Sequence, residues 1–173
     1  MNSQPGQLRI GRRLAWASLM VVAIAGVSMF SHAADAPKGA SPDDVVRKHL
    51  AKGLGVSEED FDPSFLKLDT DNQKLLDGED VLDSDPVCQC QDTVGKYRVT
   101  GKPDGVDRYV AIVGKVGGKS TWQVILQKIN GAWKIYDVVD QRGSVRALLE
   151  RHNACAREKI AHHQDVDVCS LIK

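Results

Sequence analysis

The most constraining feature of this sequence is the stretch 94–138, in which apolar and polar side chains alternate. Four segments in it are rich in Val, Ile, Tyr, Trp and Thr, which favour strands. They are 94–100, 108–116, 121–129 and 132–138. Turn dipeptides separate the later segments: Gly117-Gly118 lies between the second and the third, and Asn130-Gly131 lies between the third and the fourth. A Pro-Asp-Gly sequence at 103–105 separates the first two. The pattern predicts an antiparallel meander.

The third segment shows how the predicted sheet is oriented. Trp122, Val124 and Leu126 share one face of the strand, whereas Gln123 and Gln127 lie on the other. An alternation of this kind is typical of an antiparallel sheet that packs against a core on one side and meets water on the other.

Helical signals precede and follow the strands. Ser41 and Asp62 are each followed by a proline, the arrangement of an N-cap before the first helical position, and Ser144 is a third N-cap. The polar run 69–72 is expected to divide the second helical segment, and Arg146 is expected to pair with Glu150 on the outer face of the last helix. The order predicts an α+β fold, with N-terminal helices and a C-terminal helix packed on a curved antiparallel sheet of about four strands.

The first 33 residues have the organisation of a secretory signal peptide. Arg12 and Arg13 precede an uncharged apolar run at 14–30, and small residues stand at Ser31 and Ala33 before the expected cut. A cut after Ala36, or an uncleaved membrane anchor, is the alternative. We therefore expect a bacterial protein that is periplasmic or secreted and that has no membrane partner after cleavage.

The remaining chain divides into three parts by composition. We expect a linker at 34–40, one α+β domain at 41–152, and a polar C-terminal tail at 153–173 that cysteines staple to the domain. Without residues 1–33 the chain has 20 basic and 23 acidic residues, so no basic excess points to nucleic acid.

The segment 77–92 is strongly acidic, because it contains six Asp or Glu residues and no Lys or Arg. With Pro86 and two cysteines in it, it is expected to form a loop with little regular structure. Asp80, Asp83 and Asp85 are the predicted docking charges for a protein partner with a basic surface, and a solvated loop without a partner is the alternative.

The cysteines form an even set, as in many exported proteins. They are Cys88, Cys90, Cys155 and Cys169, and three pairings are open. A bond between Cys88 and Cys90 closes a very small, strained ring, whereas a bond between Cys155 and Cys169 would staple the tail. A metal site of Cys88 and Cys90 with the histidines of the tail lacks the usual spacing, so we expect disulfides, no metal and no cofactor.

Two acidic residues stand at strand ends. Asp92 precedes the first predicted strand and Asp137 ends the fourth. Together with Trp122 and Trp133 they are candidates to line the mouth of a cavity enclosed by a curved sheet. Turn bonding or helix capping by the aspartates is the alternative.

No pattern of catalytic residues stands out. The chain lacks a Gly-x-Ser-x-Gly sequence, and His152 lies on the apolar stripe of the last helix, where a structural histidine is expected. The sequence therefore favours a binding protein over an enzyme.

Several motifs resemble a bacterial exported family known as domain of unknown function 3828. They are LDGED at 76–80, DPVCQCQD at 85–92, GAWKIYDV at 131–138 and the short helix at 144–151. The resemblance implies a cystatin-like fold akin to nuclear transport factor two, and it implies no catalytic residues. Proteins on this scaffold include periplasmic immunity proteins, so a non-enzymatic immunity or inhibitor role is the leading hypothesis. A small-molecule cavity is second and an uncharacterised enzyme third.

Overall fold

The computed structural model of the chain describes residues 39–52, 55–76, 81–91 and 95–171. The predicted signal peptide at 1–33 and residues 34–38 of the predicted linker lie outside these ranges. The compact unit that contains the described residues spans 36–173.

The sheet is a meander in which each strand pairs antiparallel with the next. Its strands are β1 (Tyr97–Pro103), β2 (Arg108–Lys115), β3 (Thr121–Ile129), β4 (Ala132–Asp140) and β5 (Gly143–Ser144). The predicted α+β class and meander are confirmed, and β5 is an addition of two residues. Asn130 and Gly131 both have positive φ, 50° and 82°, as a tight β3–β4 turn requires.

Of the three α-helices in the described ranges, two precede the sheet. They are α1 (Pro42–Lys52) and α2 (Pro63–Leu75), and each begins at the predicted proline. The expected break at 69–72 is wrong, because α2 is continuous there. Asn72 lies buried against α3 (Val145–Ala161), and its Nδ2 donates to Asn153 Oδ1 over 2.9 Å. This tertiary partner satisfies a polar side chain that would otherwise favour a turn.

The last helix is longer than its apolar stripe indicated. The predicted boundary at 152/153 falls inside α3, which continues to Ala161 and is followed by a 3-10 helix at Asp167–Leu171. A disulfide joins Cys155 to Cys169. Both cysteines pack with Leu76 and Ala156 in a small second core. The predicted disulfide is present and anchors the 3-10 helix to α3, whereas residues 162–165 between the two helices are exposed.

The main core lies between one face of the sheet and the helices. Its sheet residues include Trp122, Val124 and Leu126, as the alternation predicted, and Val113 from the neighbouring strand. The helices contribute Val46, Leu50, Phe65 and Leu149, and the turn before α2 contributes Phe61. On the other face of β1, β2 and β3, the exposed side chains include Arg98, Thr100, Lys102, Ile112, Thr121 and Gln123.

Candidate functional site

Asp85 is buried, so the prediction that it is an exposed docking charge is wrong. Its Oδ1 accepts from the backbone N–H groups of Val87 (2.8 Å) and Cys88 (3.0 Å). Its Oδ2 accepts from the N–H of Gly55 over 2.9 Å and lies 2.9 Å from His49 Nε2. A carboxylate with this many donors fixes the local backbone and is not free to bind a partner.

His49 is held between two buried carboxylates, an arrangement we call the His49 clamp. Its Nδ1 lies 3.0 Å from Asp60 Oδ2 and its Nε2 lies 2.9 Å from Asp85 Oδ2. Burial opposes a charge on the ring, but the bonds and charges of Asp85 and Asp60 outweigh it, so the pKa of His49 is raised. Burial also opposes the charge on Asp85, yet its bonds hold the pKa of that carboxyl below its ordinary value. The clamp joins α1, the turn before α2 and the turn at 85–90.

Two aromatic side chains hold that turn against the sheet. Trp122 Nε1 donates to the carbonyl of Val87 over 2.8 Å, and the Tyr97 hydroxyl donates to the carbonyl of Cys88 over 3.1 Å. A disulfide between Cys88 and Cys90 closes the turn, which is the pairing that the small ring had disfavoured. Trp122 is therefore a core residue, and the role predicted for it at a cavity mouth is not what its contacts indicate.

Asp137 caps the start of α3. Its Oδ2 accepts from the Ser144 hydroxyl over 2.7 Å, and its Oδ1 accepts from the backbone N–H of Arg146 over 3.0 Å. Asp137 is buried, so the capping alternative describes it better than the cavity-mouth prediction does.

Arg146 points inward, and the predicted outer pair with Glu150 is wrong. Its guanidinium donates to the carbonyl of Tyr136 (3.0 Å), to Ser64 Oγ (2.9 Å) and to Asp62 Oδ1 (3.1 Å). The group also lies 3.9 Å from the centre of the Tyr136 ring. Arg146 thus connects the start of α3 to the start of α2. Because Arg146 and Asp62 are 84 residues apart in sequence, no local pattern predicts this contact.

The other predicted site residues do not join these. Trp133 is half-buried and packs edge-on against Tyr109, with ring centres 6.2 Å apart. Asp83 is exposed. Asp80 and Asp92 lie outside the described residues. Asp85 and Trp122 meet around the turn at 85–90, whereas Asp137 and Trp133 lie elsewhere, so the predicted set does not form one site.

Within the described ranges no group of His, Cys, Asp and Glu residues could hold a metal ion. His152 is buried, as expected of a structural histidine. None of the helices in the described part of the chain has the length and apolar content to cross a bilayer.

A shallow groove lies on the exposed face of the sheet, at the end nearest the β2–β3 turn. We call this the basic groove, because its lining includes Arg98 and Lys115. Arg98 lies on the exposed face, whereas Lys115 is the register partner of Tyr97, on the side of the core residues, and borders the groove from the end of β2. Its cavity volume is about 270 Å³, and its lining includes Thr100, Ile112, Val116, Ser120 and Thr121. Arg98, Gly114 and Thr121 are register partners across β1, β2 and β3. A Cβ atom at Gly114 would lie 3.1 Å from Thr121 Cγ2, so glycine keeps the groove open.

The basic groove belongs to a basic part of the chain. Residues 93–136 contain eight Lys or Arg residues and only two acidic ones, Asp104 and Asp107, whereas residues 34–92 contain 15 acidic and six basic residues. The total numbers of acidic and basic residues in the chain are equal, which concealed this separation of charge. A count of charged residues in each segment would have revealed the separation from sequence alone.

A second groove, of about 520 Å³, lies at the opposite end of the fold, by the β3–β4 turn. Its lining is mainly apolar and includes Phe61, Leu66 and Ile129. Its cation, Lys134, donates to the carbonyls of Glu58 and Glu59, so it is already committed to the turn before α2.

No family model and no curated protein matches the chain. The resemblance to domain of unknown function 3828 therefore stays a prediction. A solved structure, a phospholipid-binding protein from Ralstonia solanacearum in complex with a phospholipid, is similar at a TM-score of 0.35 and 14% identity. The match covers 75% of this chain and 71% of that chain. A likeness of this degree carries no conclusion about what this chain binds.

Proposed function

We propose that the protein is a non-enzymatic binding protein that uses the exposed face of its sheet to bind an anionic partner. The observation that supports this is that Arg98 and Lys115 have no carboxylate partner in the described part of the chain, although both line the basic groove. Thr100, Ser120 and Thr121 also line the groove, and their hydroxyl groups add hydrogen-bond donors.

The contrast with the other cations supports the proposal. Most basic side chains on the helices pair with carboxylates of their own surface, as Lys67 does with Asp71 over 2.8 Å and Arg157 does with the same residue over 2.9 Å. Charges satisfied in this way contribute little to a partner's recognition. Unpaired cations on an open face produce a positive potential that attracts an anionic partner and accelerates its association.

A second proposal keeps the immunity or inhibitor hypothesis, with a basic protein docking on the acidic segment 77–92. It is favoured by Asp83, which is exposed next to a turn fixed by a disulfide. Pre-ordering of the turn lowers the entropic cost of docking. The burial of Asp85 weakens this proposal, because it removes one of the three charges on which the docking was predicted to depend.

The experiment is retention on a dextran sulfate matrix along a salt gradient. The double variant Arg98→Gln, Lys115→Gln should elute at clearly lower salt than the wild type, because both of the lost charges border the basic groove. The matched control is Lys67→Gln, Arg151→Gln, which removes the same charge from exposed helical positions. Equal elution of the two double variants would reject the basic groove as the binding surface.

A further inference from the structure

We propose that the anionic partner is a phospholipid surface, which the turn between β2 and β3 contacts directly. This inference rests on the proposed function and names its partner. It departs from the expectation that the processed protein has no membrane partner. We call Lys115, Val116, Gly117, Gly118 and Lys119 the hairpin tip.

The hairpin tip combines apolar and basic side chains at a protruding turn. Val116 is 56% exposed and is flanked by the exposed Lys115 and Lys119. The N–H of Val116 donates to the carbonyl of Lys96 over 2.7 Å, which brings a further exposed lysine beside the tip. An aliphatic side chain framed by lysines matches a bilayer interface, where the apolar group enters and the cations meet headgroup phosphates.

A hydrogen bond and a glycine conformation define the backbone of this turn. The N–H of Gly118 donates to the carbonyl of Lys115 over 2.9 Å, and Gly117 adopts a φ of 82°, which a residue with a side chain rarely takes. The hydrogen bond orders the turn beside the exposed Val116, which lowers the entropic cost of a contact there.

The basic groove continues the same pattern from the tip onto the sheet. Ile112, 37% exposed, lies in it with Arg98, Thr100 and Thr121. Its volume of about 270 Å³ holds a headgroup but is too small for the acyl chains. Docking on a membrane surface fits these dimensions better than extraction of a whole lipid.

Two other kinds of anion fit less well. A free inorganic anion would gain nothing from Val116 and Ile112, and the groove offers it no buried polar side chain. An acidic protein would use the cations but would not need an exposed aliphatic side chain among them, and the most exposed aliphatic residue of the groove, Val116, lies at the tip itself.

The test is co-sedimentation of residues 36–173 with vesicles. This unit contains the described cores and both disulfides, and its use avoids the apolar run at 14–30, which has lipid affinity of its own. The vesicles are equal parts phosphatidylglycerol and phosphatidylcholine, compared with phosphatidylcholine alone. We expect binding to the first and none to the second.

Two variants and two matched controls locate the contact. Lys115→Gln, Lys119→Gln should weaken vesicle binding by roughly fivefold per lysine, or about 25-fold together. Val116→Thr should weaken it about fivefold. The controls are Lys67→Gln, Arg151→Gln for charge, and Val106→Thr for the 91% exposed valine at the opposite end of the β1–β2 hairpin. Both controls should bind as the wild type does.

Failure of this inference is distinguishable from failure of the proposed function. Salt-sensitive retention on dextran sulfate without vesicle binding would overturn the lipid partner and leave an anionic partner in place. Equal binding to both vesicle types, or equal effects of the tip variants and their controls, would also overturn it. Absence of binding to vesicles and to dextran sulfate would overturn both proposals.

Discussion

The His49 clamp and the hairpin tip use charge in opposite ways. In the clamp, an imidazole and two carboxylates are removed from water and satisfy one another. At the tip, Lys115 and Lys119 stay in water, without an ion pair in the part of the chain that the structure describes. The density of charge in a segment therefore does not show how its charges are used, because that depends on whether each charge is buried and paired or exposed and unpaired.

The same contrast separates two acidic residues of one segment. Asp83 is exposed, whereas Asp85, two positions later, has its side chain bonded to His49 and to three backbone N–H groups. The acidic segment therefore contributes partly to internal structure, and its surface charge is smaller than its composition suggests.

The largest expected effect comes from breaking the clamp. His49→Gln should lower the free energy of unfolding by about 3–5 kcal/mol, because it leaves the buried Asp60 and Asp85 without their shared cation. Urea unfolding of the variant and of the wild type gives this value. The control is Lys48→Gln, which removes an exposed cation from the same helix and should leave the unfolding midpoint nearly unchanged. Similar midpoints for both variants would contradict the structural role of the clamp.

A change of pH should have a smaller effect on the free energy of unfolding. The raised pKa of His49 makes its contribution to stability complete below about pH 6.5, and that contribution is lost as pH rises through the folded-state pKa. The lowered pKa of Asp85 makes its contribution complete above about pH 3.9, and that contribution is lost as pH falls through the folded-state pKa. The difference in unfolding free energy between the wild type and His49→Gln should therefore be largest between about pH 4 and 6.5.

Urea unfolding across a pH series measures that difference. Asp60 also faces His49, so the parallel series with Asp60→Asn shows how much of that difference depends on the second carboxylate beside the ring. A difference that does not change with pH would mean that the histidine is not charged in the folded protein.

The smallest effect on stability is expected from substitutions in the basic groove. Arg98→Gln, Lys115→Gln should change the free energy of unfolding by no more than about 0.5 kcal/mol, because both side chains are exposed and support no described ion pair. Thermal unfolding of the double variant checks this. A clear loss of stability would show that these cations serve the fold, and it would remove the contrast with the clamp.

Local chemistry was sufficient for much of the fold. The alternation in 121–129, the turn at Asn130-Gly131 and the caps at Ser41, Asp62 and Ser144 depend on neighbours within a few residues, so sequence alone predicted the strand, the turn and the helix starts. The segregation of charge was also present in the sequence, although it becomes visible only when charge is counted by segment.

The roles of individual polar residues were decided by tertiary structure. Asp85 meets His49 across 36 positions and Arg146 meets Asp62 across 84, and in both cases the burial that makes the pairing matter is created by packing of the helices on the sheet. A local pattern cannot distinguish Asp85 from Asp83, because both are aspartates in the same acidic run. Sequence determined where strands, turns and helix starts form, whereas only long-range packing determined which charges became internal and which stayed available for a partner.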